Sequence, residues 1–99
     1  MPHHATVLIT TPPAALLRGL RQRRPDLEVA SLDQSVPEAL SPGPTWCFVD
    51  WLLPDRSGLE MVRALRDAQA TRDCHITMVL ESGESDDKRR ALRAGADDY

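Results

Sequence analysis

Asp50 closes the most apolar run of the chain, Thr45-Trp46-Cys47-Phe48-Val49, and the residues after it, Trp51 to Gly58, break into a loop punctuated by Pro54 and Gly58. In open α/β sheets, functional groups gather in the crevice at the carboxyl ends of the strands, which makes this acid a site candidate. The plain alternative is a cap for the following turn, a role Asp also favours. An aspartate-nucleophile phosphatase needs a second acid two residues further on, and that position is Leu52. Cys47 and Cys74 show no paired spacing that would build a zinc or redox site, so the expectation is two buried free thiols. His3, His4 and His75 are too scattered for a metal cluster, and the first two belong to a loose terminus.

The elements that position Asp50 follow from the patterning around it. Ala5 to Thr10 is a continuous apolar and β-branched run, as expected of a strand covered on both faces in a parallel sheet. Thr11-Pro12-Pro13 stops it, and a helix opens behind the prolines and runs to about Arg24. Leu27 to Leu32 reads as an edge strand, since Glu28 and Ser31 mark it as less enclosed. Between Asp33 and Pro44 there is room only for a turn or two of helix around Glu38-Ala39-Leu40. Thr45 to Val49 is the central strand, with Trp46 expected to pack in the core. Leu59 to about Ala70 carries apolar residues at helical spacing. Ile76 to Leu80 is a fourth strand, Glu81 to Ser85 a polar loop, and Asp86 to Ala94 a helix ended by Gly95. The alternation implies one α/β domain over residues 1–99, a doubly wound parallel sheet with helices on both faces.

Composition narrows the function classes. The 99 residues are 41% hydrophobic and 27% charged, with net charge −3, which is ordinary globular usage and gives no global reason to bind nucleic acid or an anionic membrane. No apolar run reaches spanning length and the N-terminus lacks the pattern of a secretory signal, so cytoplasmic residence is the expectation. No glycine-rich phosphate loop follows the first strand, which disfavours nucleotide binding.

Two motifs carry a resemblance. Asp50-Trp51-Leu52-Leu53-Pro54 with Gly58 opening a helix is similar to the phosphoacceptor loop of response-regulator receiver domains, the partners of sensor histidine kinases. Ala94-Gly95-Ala96-Asp97-Asp98-Tyr99 resembles the segment joining the fourth helix to the fifth strand of receivers. The order of elements fits throughout, so the resemblance covers essentially the whole chain. It implies a flavodoxin-like sheet of order 2-1-3-4(-5), with the last strand and helix absent from these residues. It also implies that Asp50 matches the aspartate that accepts a phosphoryl group from a kinase histidine, beside an acidic pair that helps hold Mg²⁺.

Three departures accompany it. The acidic-pair positions fall on Thr11 and Pro12, or on Thr10 and Thr11 if the register slips by one, and supply no carboxylate. The switch position, a Ser or Thr in receivers, falls on Glu81 or on Ser82. The Lys of a fifth strand is not among these residues, which leaves the fourth strand as an expected edge and the sheet beside the first helix uncovered. The resulting expectation is an atypical receiver without a metal cofactor or enzymatic activity. It works by protein-protein contact, as a homodimer, on an output domain outside this chain through which any DNA binding would occur. The alternative is a working phosphoacceptor in which Asp50 takes the phosphoryl group and Mg²⁺ binds. Lys88, Arg89, Arg90 and Arg93 form a basic helix face, read as solvated or as docking on acids such as Asp97 and Asp98 of another copy.

Overall fold

Short runs of β-branched and apolar residues disfavour helix and pack well on a pleated surface enclosed from both sides. They form β1 (Ala5–Thr10), β2 (Leu27–Leu32), β3 (Thr45–Asp50) and β4 (His75–Val79). The computed structural model describes residues 5–32, 36–40, 42–80 and 85–99. Within them all strand pairs are parallel and the order is β2-β1-β3-β4, so β2 is an edge and β1 and β3 are central. Three helices accompany the sheet among the described residues: α1 (Ala14–Arg23), α2 (Gly58–Asp67) and α3 (Ser85–Ala94). The expectations for His3, His4, Glu81 and Ser82 lie outside the described residues.

Alternation along the strands sends successive side chains to opposite faces. On one face Leu8, Cys47, Val49, Ile76 and Met78 meet Met61, Val62 and Leu65 of α2 and Ala91 of α3, all in one buried cluster. On the other face lie Val7, Ile9, Trp46, Phe48 and Val79, and among the described residues α1 is the helix that lines the cavity over Val7, Ile9, Phe48 and Val79. None of the residues of α1 is buried, whereas α2 buries Gly58, Leu59, Met61, Val62 and Leu65. Trp46 is 40% exposed, so it is not the core residue its setting suggests: parity places it on the thinly covered face, opposite to fully buried Cys47.

Three local expectations are corrected. Residues 36–40 form no helix; Val36 and Leu40 instead pack against the core from an irregular path. So short a segment offers little return for a costly helical nucleus, and Pro37 removes a donor from it. The helix after Asp50 ends at Asp67 rather than near Ala70. Ala68 is extended, and the buried Thr71 hydroxyl donates to the Leu65 carbonyl at 2.6 Å, satisfying one of the carbonyls that a helix end leaves free. The fourth strand spans His75–Val79, one residue earlier than its apolar run suggests.

The edge of β4 is partly covered. The Asp97 amide donates to the Ile76 carbonyl at 2.8 Å and the Met78 amide to the Asp98 carbonyl at 3.0 Å, giving a parallel bridge between Thr77 and Asp98. At the opposite edge, Arg21 donates to the Val29 carbonyl through Nε and a terminal nitrogen, at 3.2 and 2.8 Å, which blocks part of β2 from pairing with another strand. No helix among the described residues is long and apolar enough to cross a membrane.

Candidate functional site

β1 and β3 are neighbours, so their carboxyl ends bring Thr10 and Asp50 together across forty residues of sequence. The Thr10 hydroxyl donates to Asp50 Oδ2 at 3.0 Å and accepts the Asp50 amide at 2.9 Å. The exposed Thr11 hydroxyl donates to the same Oδ2 at 3.2 Å. To reach it, Thr11 adopts φ 40°, a left-handed conformation that a β-branched residue enters at a cost of roughly 1–2 kcal/mol. Strain of this kind is held only where surrounding structure determines it, and here it sits at the acid the sequence singles out.

The loop after Asp50 is tied down at both ends. The Trp51 amide donates to the Val79 carbonyl at 3.0 Å, extending the β3–β4 ladder, and the Gly58 amide donates to the Trp51 carbonyl at 2.8 Å. Ser57 caps α2, accepting the Glu60 amide at 3.2 Å. Gly58 is required by proximity: a Cβ there would collide with the Asp50 carbonyl oxygen. Leu52, by contrast, is 67% exposed.

Among the described residues, the groups around Asp50 do not make a Mg²⁺ site. The ion is held by carboxylates, water and substrate oxygens. Around Asp50 the acidic-pair positions offer two neutral hydroxyls, both donating to the carboxylate itself, and Pro12, which has no polar side-chain atom. Among the described residues no group of three or more His, Cys, Asp and Glu is placed to hold a metal ion. Two cavities flank the site. One of about 360 Å³ lies between Thr11, Leu17, Leu32, Leu53 and Met61. The other, about 510 Å³, is the bare sheet face itself, floored by Val7, Ile9, Phe48 and Val79 with Asp50 on its rim.

The charged residues at the other end of the chain divide into committed and open ones. Asp97 accepts from Arg66 at 2.7 Å and from the Ile76 amide at 2.8 Å. Its partial burial favours the neutral form, but the Ile76 amide and the Arg66 guanidinium outweigh that and hold the carboxyl below its usual range. Asp98 accepts its neighbour's amide, that of Tyr99, at 2.8 Å. On α3, Lys88 lies over the Tyr99 ring, Arg89 faces Asp86 at 3.6 Å, and Arg90 faces Asp87 at 3.9 Å while lying 5.5 Å from the centre of the Trp51 ring. Arg93 is exposed.

Sequence reasoning missed Arg66, which looked like one more polar residue on a helix. It donates to the carbonyls of Gly95, Arg72 and Cys74 at 2.8, 2.8 and 2.6 Å as well as to Asp97, and so joins the end of α2 to the end of α3 and to the segment entering β4. Gly95, at φ 120°, leaves it room: a Cβ there would stand 2.9 Å from Arg66 Cγ. The two thiols are free and buried; burial, with Cys74 alongside, pushes Cys47 up to about 12, so it is a poor nucleophile.

No family model matches the chain. It is similar to curated response regulators: 37% identical over 73 residues to the phosphate regulon transcriptional regulatory protein PhoB of Klebsiella pneumoniae, covering 74% of this chain and 32% of that protein. The chain thus spans about a third of the length of the curated relatives it matches. Among solved structures, a response regulator from Chloroflexus aurantiacus is 25% identical with a TM-score of 0.68, covering 100% of this chain and 84% of that one. A response regulator from Burkholderia pseudomallei, solved with a phosphorylated aspartic acid, a calcium ion and citrate, has a TM-score of 0.66 at 21% identity, covering 96% of this chain and 57% of that one. With the parallel order β2-β1-β3-β4, an acid at the carboxyl end of β3 and relatives of this kind, the chain belongs to the response-regulator receiver domains.

Proposed function

We propose that this receiver is a regulatory interaction module of a PhoB-like transcriptional regulator and that it operates without Mg²⁺ and without phosphorylation of Asp50. The observation that carries this reading is the pair of threonine hydroxyls on Asp50 Oδ2, standing where the resemblance calls for carboxylates. Phosphoryl transfer to a carboxylate concentrates negative charge, which a cation must offset. The two hydroxyls on Asp50 are neutral and already used. The module is then regulatory rather than enzymatic, cytoplasmic, and active through contacts with other proteins. A second copy of the receiver is one partner, and a DNA-binding output domain elsewhere in the regulator carries the response.

Incubation with acetyl phosphate and Mg²⁺, followed by intact mass measurement, tests it. The expected result is an unchanged mass. A stoichiometric gain of about 80 Da, one phosphoryl group, that disappears in Asp50→Ala would overturn it.

A second reading keeps Asp50 as a phosphoacceptor served by a sensor histidine kinase. It is favoured by the half-buried place of Asp50 at the carboxyl edge of the sheet and by the likeness to a receiver that carries a phosphorylated aspartate. Mg²⁺ titration followed by Trp51 fluorescence separates the two. Quenching at millimolar metal supports the phosphoacceptor, and a flat response supports the metal-free module.

A further inference from the structure

Cys47 and Cys74 show no paired spacing in sequence, yet folding sets them side by side. Cys47 lies opposite Ile76 in the β3–β4 ladder, and residues two apart share a face, so Cys74 comes to the same buried layer from just before β4. Both belong to the cluster under α2, and each thiol acts on the ionisation of the other. Cys74 itself stands outside the ladder, in a turn closed by its amide on the Thr71 carbonyl at 3.2 Å. It can therefore close on Cys47 without breaking a strand hydrogen bond.

The two thiols are not equivalent. Cys47 is 0% exposed, whereas Cys74 is 8% exposed and lines two open cavities. One, of about 380 Å³, is bordered by Leu40 and Pro44, and the other, of about 420 Å³, by Arg66 and Asp97. A molecule little larger than water meets Cys74 first. Charge follows the same order: burial raises the Cys74 thiol, and Cys47 and the Arg66 guanidinium pull it back against a smaller push from Asp73. Arg66 Nη1 rests on the Cys74 carbonyl itself, at 2.6 Å. A cation beside a thiol favours the thiolate, which is the reactive form.

We infer that Cys47 and Cys74 form an oxidisable pair, in which Cys74 is the thiol that a peroxide reaches and Cys47 the thiol that closes a disulfide. The Cys74 thiolate attacks one oxygen of hydrogen peroxide and the O–O bond breaks. Cys74 becomes a sulfenic acid, and the other oxygen leaves as hydroxide and takes up the Cys74 proton as water. The Cys47 sulfur then displaces the sulfenic oxygen, which leaves with the Cys47 proton as a second water. The two thiols lose two electrons, the peroxide gains them, and an S–S bond joins β3 to the segment entering β4. Burial makes Cys47 a poor nucleophile towards an outside reagent, and its place beside Cys74 offsets that by proximity. The bond draws on the Thr71–Cys74 turn, where Arg66 holds the Arg72 and Cys74 carbonyls, so oxidation reaches the junction of α2, α3 and β4. In a reducing compartment such a bond is transient, which suits a sensor of oxidant. The inference goes beyond the reading of Asp50, which closes the opposite end of β3, and does not depend on it.

Thiol counting tests it on the folded chain. The protein is exposed to hydrogen peroxide, quenched, unfolded in urea and alkylated with a maleimide, and intact mass gives the number of labels, a count that methionine oxidation does not alter. The expected result is two labels before treatment and none after, both restored by dithiothreitol, with a Cys47–Cys74 cross-linked peptide and an unchanged circular dichroism spectrum. In Cys47→Ala, Cys74 should stop at the sulfenic acid, captured by dimedone. In Cys74→Ala, oxidation of Cys47 should slow by about tenfold or more, as for a thiol without access or a neighbouring cation. The parent count alone decides the matter should either variant fail to fold. Two labels after treatment, a bridge between two chains on a non-reducing gel, loss that dithiothreitol does not reverse, or equal oxidation of Cys47 with and without Cys74 overturns the inference.

Discussion

The two faces of this sheet are made of the same strands and differ in almost everything else. Under α2 and α3, Met61 and Leu65 are 1% and 0% exposed, and the strand residues beneath them are sealed. On the α1 side of the sheet, Leu16 of the helix itself and Trp46 and Val79 of the strands are 44%, 40% and 45% exposed, and an apolar cavity of about 510 Å³ lies open beside the helix. The difference shows that apolar content alone does not make a core. A strand side chain contributes stability only to the extent that a second layer removes it from water, and among the described residues one layer has two helices and the other has one.

Asp50 sits where the two regimes meet. Its backbone belongs to the sealed side, through Gly58 and the Val79 ladder, while its carboxylate lies at the rim of the open one.

Substitutions on the two faces test this contrast. Leu65→Ala on the sealed face is expected to cost about 2–5 kcal/mol, measured by urea unfolding, because a large side chain leaves a cavity in close-packed surroundings. Gly58→Ala comes next, at about 1–3 kcal/mol, since its Cβ must displace the Asp50 carbonyl and with it the start of the loop. Arg66→Ala should cost about 1–3 kcal/mol by stranding three carbonyls and leaving the Asp97 carboxylate without its guanidinium partner. It also carries a pH signature. The Asp97 carboxyl is held low in the folded state, so its contribution is present above the ordinary carboxylate range near pH 4 and is lost as pH falls through the depressed value. Unfolding curves between about pH 6 and pH 2 should therefore lose less stability in Arg66→Ala than in the parent.

The smallest effect is expected on the open face. Leu16→Ser should change stability by no more than about 0.5 kcal/mol, as for other exposed positions. A loss comparable to that of Leu65→Ala would mean that the α1 face is covered in solution, and the contrast drawn between the two faces would fail.

Much of this molecule was legible in local pattern. Apolar runs, with looser alternation over Leu27 to Leu32, located four strands; helical spacing, the prolines before Ala14 and the glycine after Ala94 located three helices; and the break after Val49 marked Asp50 at a sheet edge. Pro54 and Gly58 announced the loop, and Gly58 proved indispensable for its closeness to the Asp50 carbonyl. The receiver resemblance rested on these same residues. All of them express themselves through backbone propensity and the alternation of side chains, which operate over a few neighbours and survive in sequence.

Tertiary structure alone decided what touches what. Whether Trp46 was core depended on how many helices lie on its side of the sheet, and nothing in Thr45 to Val49 states that number. Residues 36–40 looked able to start a helix until packing drew Val36 and Leu40 to the core along an irregular path. Arg66 carries no mark of its role, because its partners at Arg72, Cys74, Gly95 and Asp97 assemble only when α2, α3 and β4 are in place. The left-handed Thr11, with its hydroxyl on Asp50, likewise depends on two strand ends meeting. Spacing along the chain reports the geometry of one element; the chemistry at Asp50 is set by contacts between elements, and those exist only in the folded molecule.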